Sequence, residues 1–515
     1  MNYLNNKYAT FFVNYSEHII IAIFFLIGLL TFDIYGVGWD EGMQRNSGLV
    51  SWDYIFNGDN LLLTYGDKDY GVAFELPLIF FEKIFRLQTE REIFLMRHLV
   101  THLFFLFGAF FCMKLIYLLY ENKLVSLVGL LLYLFHPHLY AHSFFNSKDV
   151  PFMSLFMISF YFMVRMFKNT TILNTILLGV AIGLLINVRV MGLLLLGTVL
   201  FFLFLDTLIQ KKGVVKQFKS ICFLVVSAFT TLYLTWPILW VNPHLKIEAM
   251  FKHVATYECI LTNLFRGQIV NVAKLSWDYI PVWFSITTPI PFLLAGLCGI
   301  VYIIILFIRR PLAYVGSFIG KSNLIFLICF FAPVFAIMLM QPVLYDAWRH
   351  LFFIYAPFIL ISVAGFNLLL KFKLKMAMVI AFLTFLSTGI FMLNNAPFQH
   401  VYFNYFITWN NEPEYIRKNY EMDYWGTSYK QSLEYILAND SSKEIKIYSQ
   451  NYPGINNIKL LTPEQTSRIR LVDSSQATYF LTNYRWHPSD YPAEYKSFYK
   501  IKVLNNTINE VFKLR

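Results

Sequence analysis

A polytopic α-helical membrane protein of about eleven spans, closed by a small C-terminal α/β domain, is the fold class this sequence predicts. Three observations carry that expectation. The 515-residue chain is 57% hydrophobic and 19% aromatic, with only 14% charged residues and a mean hydropathy of +0.53. A soluble protein of this length could not hide so much apolar surface. Apolar runs long enough to cross a bilayer recur from residue 17 to residue 393. Beyond residue 393 the composition turns polar and tyrosine-rich, and no run qualifies.

The expected spans are 17–34, 97–118, 124–141, 151–167, 172–187, 191–209, 220–238, 288–308, 322–341, 350–370 and 374–393. The fifth and sixth are joined tightly around Asn187-Val-Arg189. Lys123, Arg165, Lys168, Lys211, Lys212, Lys216, Lys219, Arg309, Arg310, Lys321, Lys371, Lys373 and Lys375 fall on one side of these spans. That clustering assigns the side, and the N-terminus with it, to the cytoplasm. The formal net charge of +11 is thereby explained without nucleic acid. An odd number of spans puts the tail outside. The first apolar run is long and lacks a convincing small-residue cleavage site, so it reads as a span and not as a signal peptide. Cys112, Cys222, Cys298 and Cys329 lie in apolar runs, which leaves Cys259 without an obvious partner and argues against a disulfide framework.

The outer face receives loop 35–96, loop 142–150, loop 239–287 and the junction 342–349. The first of these is rich in acids, from Asp33 to Glu75. Residues 42–56 predict an interfacial helix with Trp52, Tyr54, Ile55 and Phe56 toward lipid, and Leu76–Leu87 has similar amphipathic character. Packing of both against the bundle fits the pattern equally. In the tail, Glu444–Ser449 and Ala477–Thr482 read as strands and Thr427–Ala438 as a helix. Phe498–Val503 and Ile508–Lys513 flank Leu504-Asn-Asn-Thr507 as a hairpin. The expected domains are therefore 1–393 in the membrane and 394–515 outside it.

Four constellations on the outer face could carry chemistry. Asp40-Glu41 follows the first span within Gly36-Val-Gly-Trp-Asp-Glu-Gly. Carboxylates at a bilayer edge need water, a metal or a cation. One of them could accept a proton from an attacking hydroxyl; capping the interfacial helix is the plainer role. His142-Ser-Phe-Phe-Asn146-Ser-Lys148-Asp149-Val-Pro151-Phe152 offers a lysine for a phosphate and a second carboxylate, with Asp149 also placed to cap the next helix. Arg189 runs against the positive-inside trend, as an anion ligand or a snorkelling side chain. Tyr345-Asp346-Ala-Trp348-Arg349-His350 sets two cationic groups beside an acid, for phosphate or for an Asp346–Arg349 ion pair. His98/His102 and His138/His142 have the spacing of two ligands on one helix face, but no further motif supports zinc.

Together these segments resemble the GT-C membrane glycosyltransferases that use polyprenyl-phosphate sugars, above all the branch of the protein O-mannosyltransferases and their bacterial relatives. Asp40-Glu41 matches the acidic motif of the first outer loop. Tyr65-Gly66 and Tyr70-Gly71-Val-Ala-Phe74-Glu75 look like the Tyr-Gly stretch before the second span. Asn146-Ser-Lys148-Asp149-Val-Pro151-Phe152 and Tyr345-Asp346-Ala-Trp-Arg349-His350 match two further elements. Asn395–Asn404 and Asp423-Tyr424-Trp425-Gly426-Thr-Ser428-Tyr429 look like the markers after the last span. Lipid A aminoarabinose transferases carry Lys-Pro-Pro in the first outer loop where this chain has Phe74-Glu75-Leu-Pro77. Loop 239–287 is too short for the β-trefoil insertion of the eukaryotic protein mannosyltransferases.

The resemblance implies an inverting transfer of a sugar from a polyprenyl-phosphate donor to an acceptor hydroxyl of a protein, lipid or glycan. Asp40 would be the base, with Glu41 assisting or holding a divalent metal, and Asp149 would organise the acceptor side. Lys148, Arg189, Arg349 and His350 would hold the donor phosphate. The expected location is a bacterial inner membrane, with the catalytic face outside the cytoplasm. A transporter or flippase of a lipid-linked or anionic substrate, and a non-catalytic envelope scaffold, are the rival readings.

Overall fold

The computed structural model describes residues 2–210, 213–256, 260–409 and 411–515. Lys211, Lys212 and Cys259 lie outside the described residues. The first helix, α1 (Asn2–Thr31), leads through the acidic turn into α2 (Glu41–Phe56) and α3 (Glu75–Ile84). The bundle continues with α4 (Glu90–Tyr120), α5 (Lys123–Leu134), α6 (Pro137–Phe145), α7 (Asp149–Lys168), α8 (Ile172–Val188), α9 (Leu193–Gln210) and α10 (Val214–Thr235). After α11 (Pro243–Thr256), a hairpin of β1 (Thr262–Phe265) and β2 (Gln268–Asn271), and α12 (Tyr279–Thr287), it resumes with α13 (Ile290–Arg309), α14 (Pro311–Gly316), α15 (Phe318–Met340) and α16 (Tyr355–Asn394). The β1–β2 hairpin has no counterpart in the sequence expectation.

Among the described residues, seven helices are long and apolar enough to cross a bilayer, or eight when the bent pair α5/α6 is taken as one span. Tyr15–Thr31 and α8 are shorter apolar helices, and α16 is broken by non-helical geometry at Lys373. The expected segments fall on helices, with 124–141 divided between α5 and α6 and with 350–370 and 374–393 both on α16, and the chain is a polytopic α-helical membrane protein. The segment 124–141 is not one straight span, because α5 and α6 meet at 62°. Proline disfavours helical geometry at the residue before it, so the helix stops before His136-Pro137 and restarts with Pro137 in its first turn. Past the bend, His138 and His142 of α6 reach the Tyr424 hydroxyl. Gly179 and Gly183, four apart on α8, let it approach the backbone of α10 at Leu224 and Ala228.

Loop 35–96 carries its two expected helices, α2 and α3. On α2, Phe56 is exposed whereas Trp52, Tyr54 and Ile55 are half-buried, so the apolar end both packs and projects. Lys168 of α7 pairs with Glu121, just beyond α4, at 2.9 Å, at the end of the bundle opposite the acidic turn.

Beyond α16 come two short helices, α17 (Tyr405–Thr408) and α18 (Tyr415–Asn419), and then α19 (Tyr429–Asn439). Next are β3 (Ile445–Ser449), α20 (Tyr452–Asn456), β4 (Ile469–Leu471), β5 (Tyr479–Thr482), β6 (Lys496–Val503) and β7 (Asn506–Lys513). The five strands form one sheet in the order β4-β3-β5-β7-β6. The first two pairings are parallel and the last two antiparallel. Tyr429, Leu433 and Ile436 of α19 pack on Ile445, Ile447, Tyr479, Leu481 and Val511 of the sheet. The β6–β7 turn is tighter than expected. Val503 pairs with Asn506, and only Leu504 and Asn505 lie between them, both with positive φ (49° and 59°). That is the mirror-image turn that fits strand twist.

Candidate functional site

The acidic turn at residues 36–40 is clamped by the C-terminal domain. Asn457 Oδ1 accepts from the Val37 amide at 2.9 Å, and Asn457 Nδ2 donates to the Val37 carbonyl at 3.1 Å. Gly38 lies flat on the Trp425 ring, where any Cβ would collide. Asp40 stands at the N-cap position of α2, yet its side chain makes no capping bond. Its Oδ2 instead accepts from Arg349 Nη1 at 2.8 Å.

Glu41 diverges from Asp40. It is buried, accepts from its own turn at the Gly38 amide (2.6 Å), and faces His98 Nε2 at 3.1 Å. The adjacent carboxylates therefore do not converge on a common point, and the pair does not fit a divalent metal. Among the described residues no cluster of three or more His, Cys, Asp or Glu side chains is set to hold a metal ion. The spaced histidines have other partners: His102 Nδ1 meets Ser143 Oγ at 2.8 Å, while His138 and His142 share the Tyr424 hydroxyl at 3.0 and 3.2 Å.

Asp149 does not cap α7. Asn146 performs that service, its Oδ1 accepting from the Lys148 and Asp149 amides at 3.3 and 2.8 Å. A short polar side chain three residues before the first turn reaches these orphan amides better than the helix's own first residue does. The Asp149 carboxylate is thus left for cations. It pairs with Arg189, accepts from Asn146 Nδ2 at 3.0 Å, and lies 3.6 Å from Arg349 Nη1. Arg189, at the C-cap of α8, is no free snorkelling cation.

Arg349 is the hub. It is 2% exposed and meets Asp40, Asp149 and, through Nε at 2.9 Å, Asp346. The expected Asp346–Arg349 pair is present within this larger arrangement. Tyr345 and Trp425 flank the guanidinium at 4.8 and 5.1 Å. Lys148 lies over the Tyr70 ring, 3.4 Å from its centre. Burial, reinforced by Arg189, pulls its ammonium down to about 7. His350 packs edge-on against Tyr345 at 4.7 Å and joins none of the ion pairs described here.

The structure thus brings together Asp40, Lys148, Asp149, Arg189 and Arg349, with His350 beside them and Glu41 turned away. It also adds a residue that the sequence reading missed. Arg485, in the loop after β5, pairs with Asp346 at 2.6 Å and donates to the Tyr424 carbonyl. Its only signal in the sequence is an arginine between aromatics, Tyr484-Arg485-Trp486. Arg97 and Glu75 were likewise unmarked as a pair. They meet at 2.5 Å, both buried, and Glu75 accepts from Ser147 at 2.6 Å, which braces the 146–149 turn. Such a site, with one partly open carboxylate among clustered cations, can bind an anion and take a proton next to it.

No protein-family model matches the chain, and no curated protein matches it. Solved structures do. ArnT from Cupriavidus metallidurans in the apo state is 12% identical, covers 99% of this chain and 98% of its own, and has a TM-score of 0.52. The same enzyme bound to undecaprenyl phosphate is 12% identical over 96% and 97%, with a TM-score of 0.52. The apo oligosaccharyltransferase of Archaeoglobus fulgidus is 11% identical, with a TM-score of 0.50 over 90% of this chain. The chain spans 65% of that archaeal enzyme's length. At these identities the likeness is one of architecture, and this chain shares its fold with ArnT and with the archaeal oligosaccharyltransferase.

Proposed function

We propose that this protein is an inverting glycosyltransferase that takes a sugar from a polyprenyl-phosphate donor. The observation that carries the reading is one cluster at one end of the helical bundle, in which Arg349 pairs with Asp40, Arg189 pairs with Asp149, and Lys148 lies within electrostatic reach of all four. The acceptor hydroxyl oxygen would attack C1 of the sugar while Asp40 takes its proton. The bond from C1 to the phosphate oxygen would break, and the carrier phosphate would leave with its electron pair. Negative charge then grows on that phosphate, and prearranged cations in a partly dry site lower the barrier most where charge develops. Lys148, Arg189 and Arg349 are the groups assigned to it, with His350 at the rim. Asp149 holds Arg189 and Arg349 together, and so acts on the donor side as much as on the acceptor side.

Residues 1–393 would form the catalytic membrane domain and 394–515 an external domain, in a bacterial inner membrane with the site outside. The ArnT structure with undecaprenyl phosphate supports a lipid-phosphate donor. A transporter has less support, because ionisable groups near a bilayer midplane would be expected. Here they gather at one end of the bundle, and the buried Asp206–Lys321 pair (2.5 Å) joins α9 and α15 near the other end. The test is transfer of label from radiolabelled polyprenyl-phosphate hexoses and pentoses to a membrane extract by purified protein. Transfer supports the reading, and carriage of the intact donor across a vesicle without transfer overturns it.

A further inference from the structure

An aromatic shelf stands beside Asp40. Trp39, the preceding residue, meets Trp486 edge-on at 5.7 Å and Tyr452 at 6.3 Å. The three rings come from the acidic turn, the loop after β5 and the start of α20. Tyr452 is 50% exposed, and both tryptophans are partly open. Large rings left open beside a polar site call for a reason, since burial would otherwise be favourable.

The shelf is rigid. The Arg485 guanidinium packs against Trp39 at 5.0 Å and Trp486 at 4.6 Å, and is itself held by Asp346. Trp486 Nε1 donates to the Thr262 carbonyl of β1 at 3.0 Å. Tyr484 and Trp486 both adopt positive φ (61° and 62°). That conformation is unfavourable for bulky residues, and it persists here in the segment that presents the ring. One helical turn after Tyr452, Ile455 of the same short helix enters a cleft of about 820 Å³ whose walls include Arg91, Lys459 and Leu471. Ligand clefts fall at about 300–1,000 Å³.

We infer that the acceptor is a saccharide, an inference that rests on the transferase reading above. A sugar ring carries C–H bonds on a face and hydroxyls around its rim. The C–H face suits the negative face of an aromatic ring, and the rim suits charged neighbours. The terminal ring sits in the angle between Trp39, Trp486 and Tyr452, with its C–H face on one ring and its edge against the others, and presents one hydroxyl to Asp40. The preceding rings follow α20 toward the cleft. Flat rings offer none of the backbone donors and acceptors with which an extended peptide is recognised. Two of the three rings, Trp486 and Tyr452, belong to the C-terminal domain and not to the membrane-spanning helices.

The test uses full-length protein in nanodiscs with three probes: soluble hexo-oligosaccharides of two to five units, serine- and threonine-containing peptides, and short-chain lipids. Binding is read by saturation-transfer NMR and tryptophan fluorescence, and polyprenyl phosphate release from a polyprenyl-phosphate hexose is read separately. Saturable binding of an oligosaccharide is expected, weakened about tenfold by Trp486→Ala and by Tyr452→Ala and largely restored by Trp486→Phe. Tyr452→Ala, at a half-exposed position, guards against a folding artefact at Trp486. Binding of peptides or lipids alone, no binding by any oligosaccharide, or binding unchanged in both alanine variants overturns the saccharide assignment. Protein that releases carrier phosphate but binds no sugar keeps the transferase reading and loses this inference. Protein that binds sugar but never turns over donor loses the reading on which it rests.

Discussion

Asp40 occupies the N-cap position of α2, but its carboxylate accepts from Arg349, 309 residues away, at 2.8 Å. A capping residue that declines to cap leaves helix amides without their usual partner. Its charge is committed across the site instead. That choice is the strongest local sign that the acidic turn serves chemistry before helix stability.

Lys148 should make donor binding pH-sensitive. With its ammonium drawn down to about 7 by burial and by Arg189, it is charged below that pH and neutral above it. An anionic phosphate needs the charged form. Donor KM should therefore rise with pH above 7, at most about tenfold per unit. Lys148→Arg should flatten the dependence, because a guanidinium stays protonated. KM measured from pH 6 to 9 for both proteins checks this.

The Glu75–Arg97 pair should matter for stability more than for the chemical step. Both side chains are buried, and Glu75 also holds Ser147. Breaking one side of such a pair costs about 3–5 kcal/mol, because the other charge stays buried and uncompensated. Glu75→Ala should lower the thermal midpoint markedly. A Glu75→Leu/Arg97→Leu double variant should lose less than the sum of the two singles. Thermal unfolding in a fixed detergent reads both.

Glu421 should make the protein less stable in alkali. Burial, against the pull of Arg485, raises its carboxyl to about 8. The folded state then holds the proton more tightly than the unfolded state, where a glutamate titrates at about 4.3. The stability contribution is complete below that unfolded value and declines as pH rises toward 8. Glu421→Gln should remove the decline, so its melting temperature should exceed that of wild type at pH 9. A wild-type midpoint unchanged between pH 5 and 9 would contradict this assignment.

The helices were legible because a bilayer demands long apolar runs, and these leave a strong pattern. The break between α5 and α6 was present in the sequence as His136-Pro137, but a continuous apolar run masked it. Asp40, Lys148, Asp149, Arg189 and Arg349 were legible because charges at span ends are few. Their pairings were not, since Asp149 could equally have capped α7 until Asn146 was seen doing so. Glu41 looked equivalent to Asp40, and only the fold shows it bound to His98 and the Gly38 amide. Arg485 was hidden for another reason. It lies in a polar tail where an arginine is unremarked, 139 residues from the Asp346 it meets.

The central claim is that Asp40 takes the proton from an acceptor hydroxyl during sugar transfer. The direct measurement is the single-turnover rate of transfer from a radiolabelled polyprenyl-phosphate sugar by wild type and by Asp40→Asn, with folding checked by size exclusion. Asparagine cannot accept that proton, and loss of a positioned base typically costs about 10²–10⁴ in rate. The expected result is a loss of that size, with a folded protein whose thermal midpoint is lowered, because Arg349 loses one of its three carboxylates and keeps Asp149 and Asp346. Equal rates in the two proteins would contradict the account.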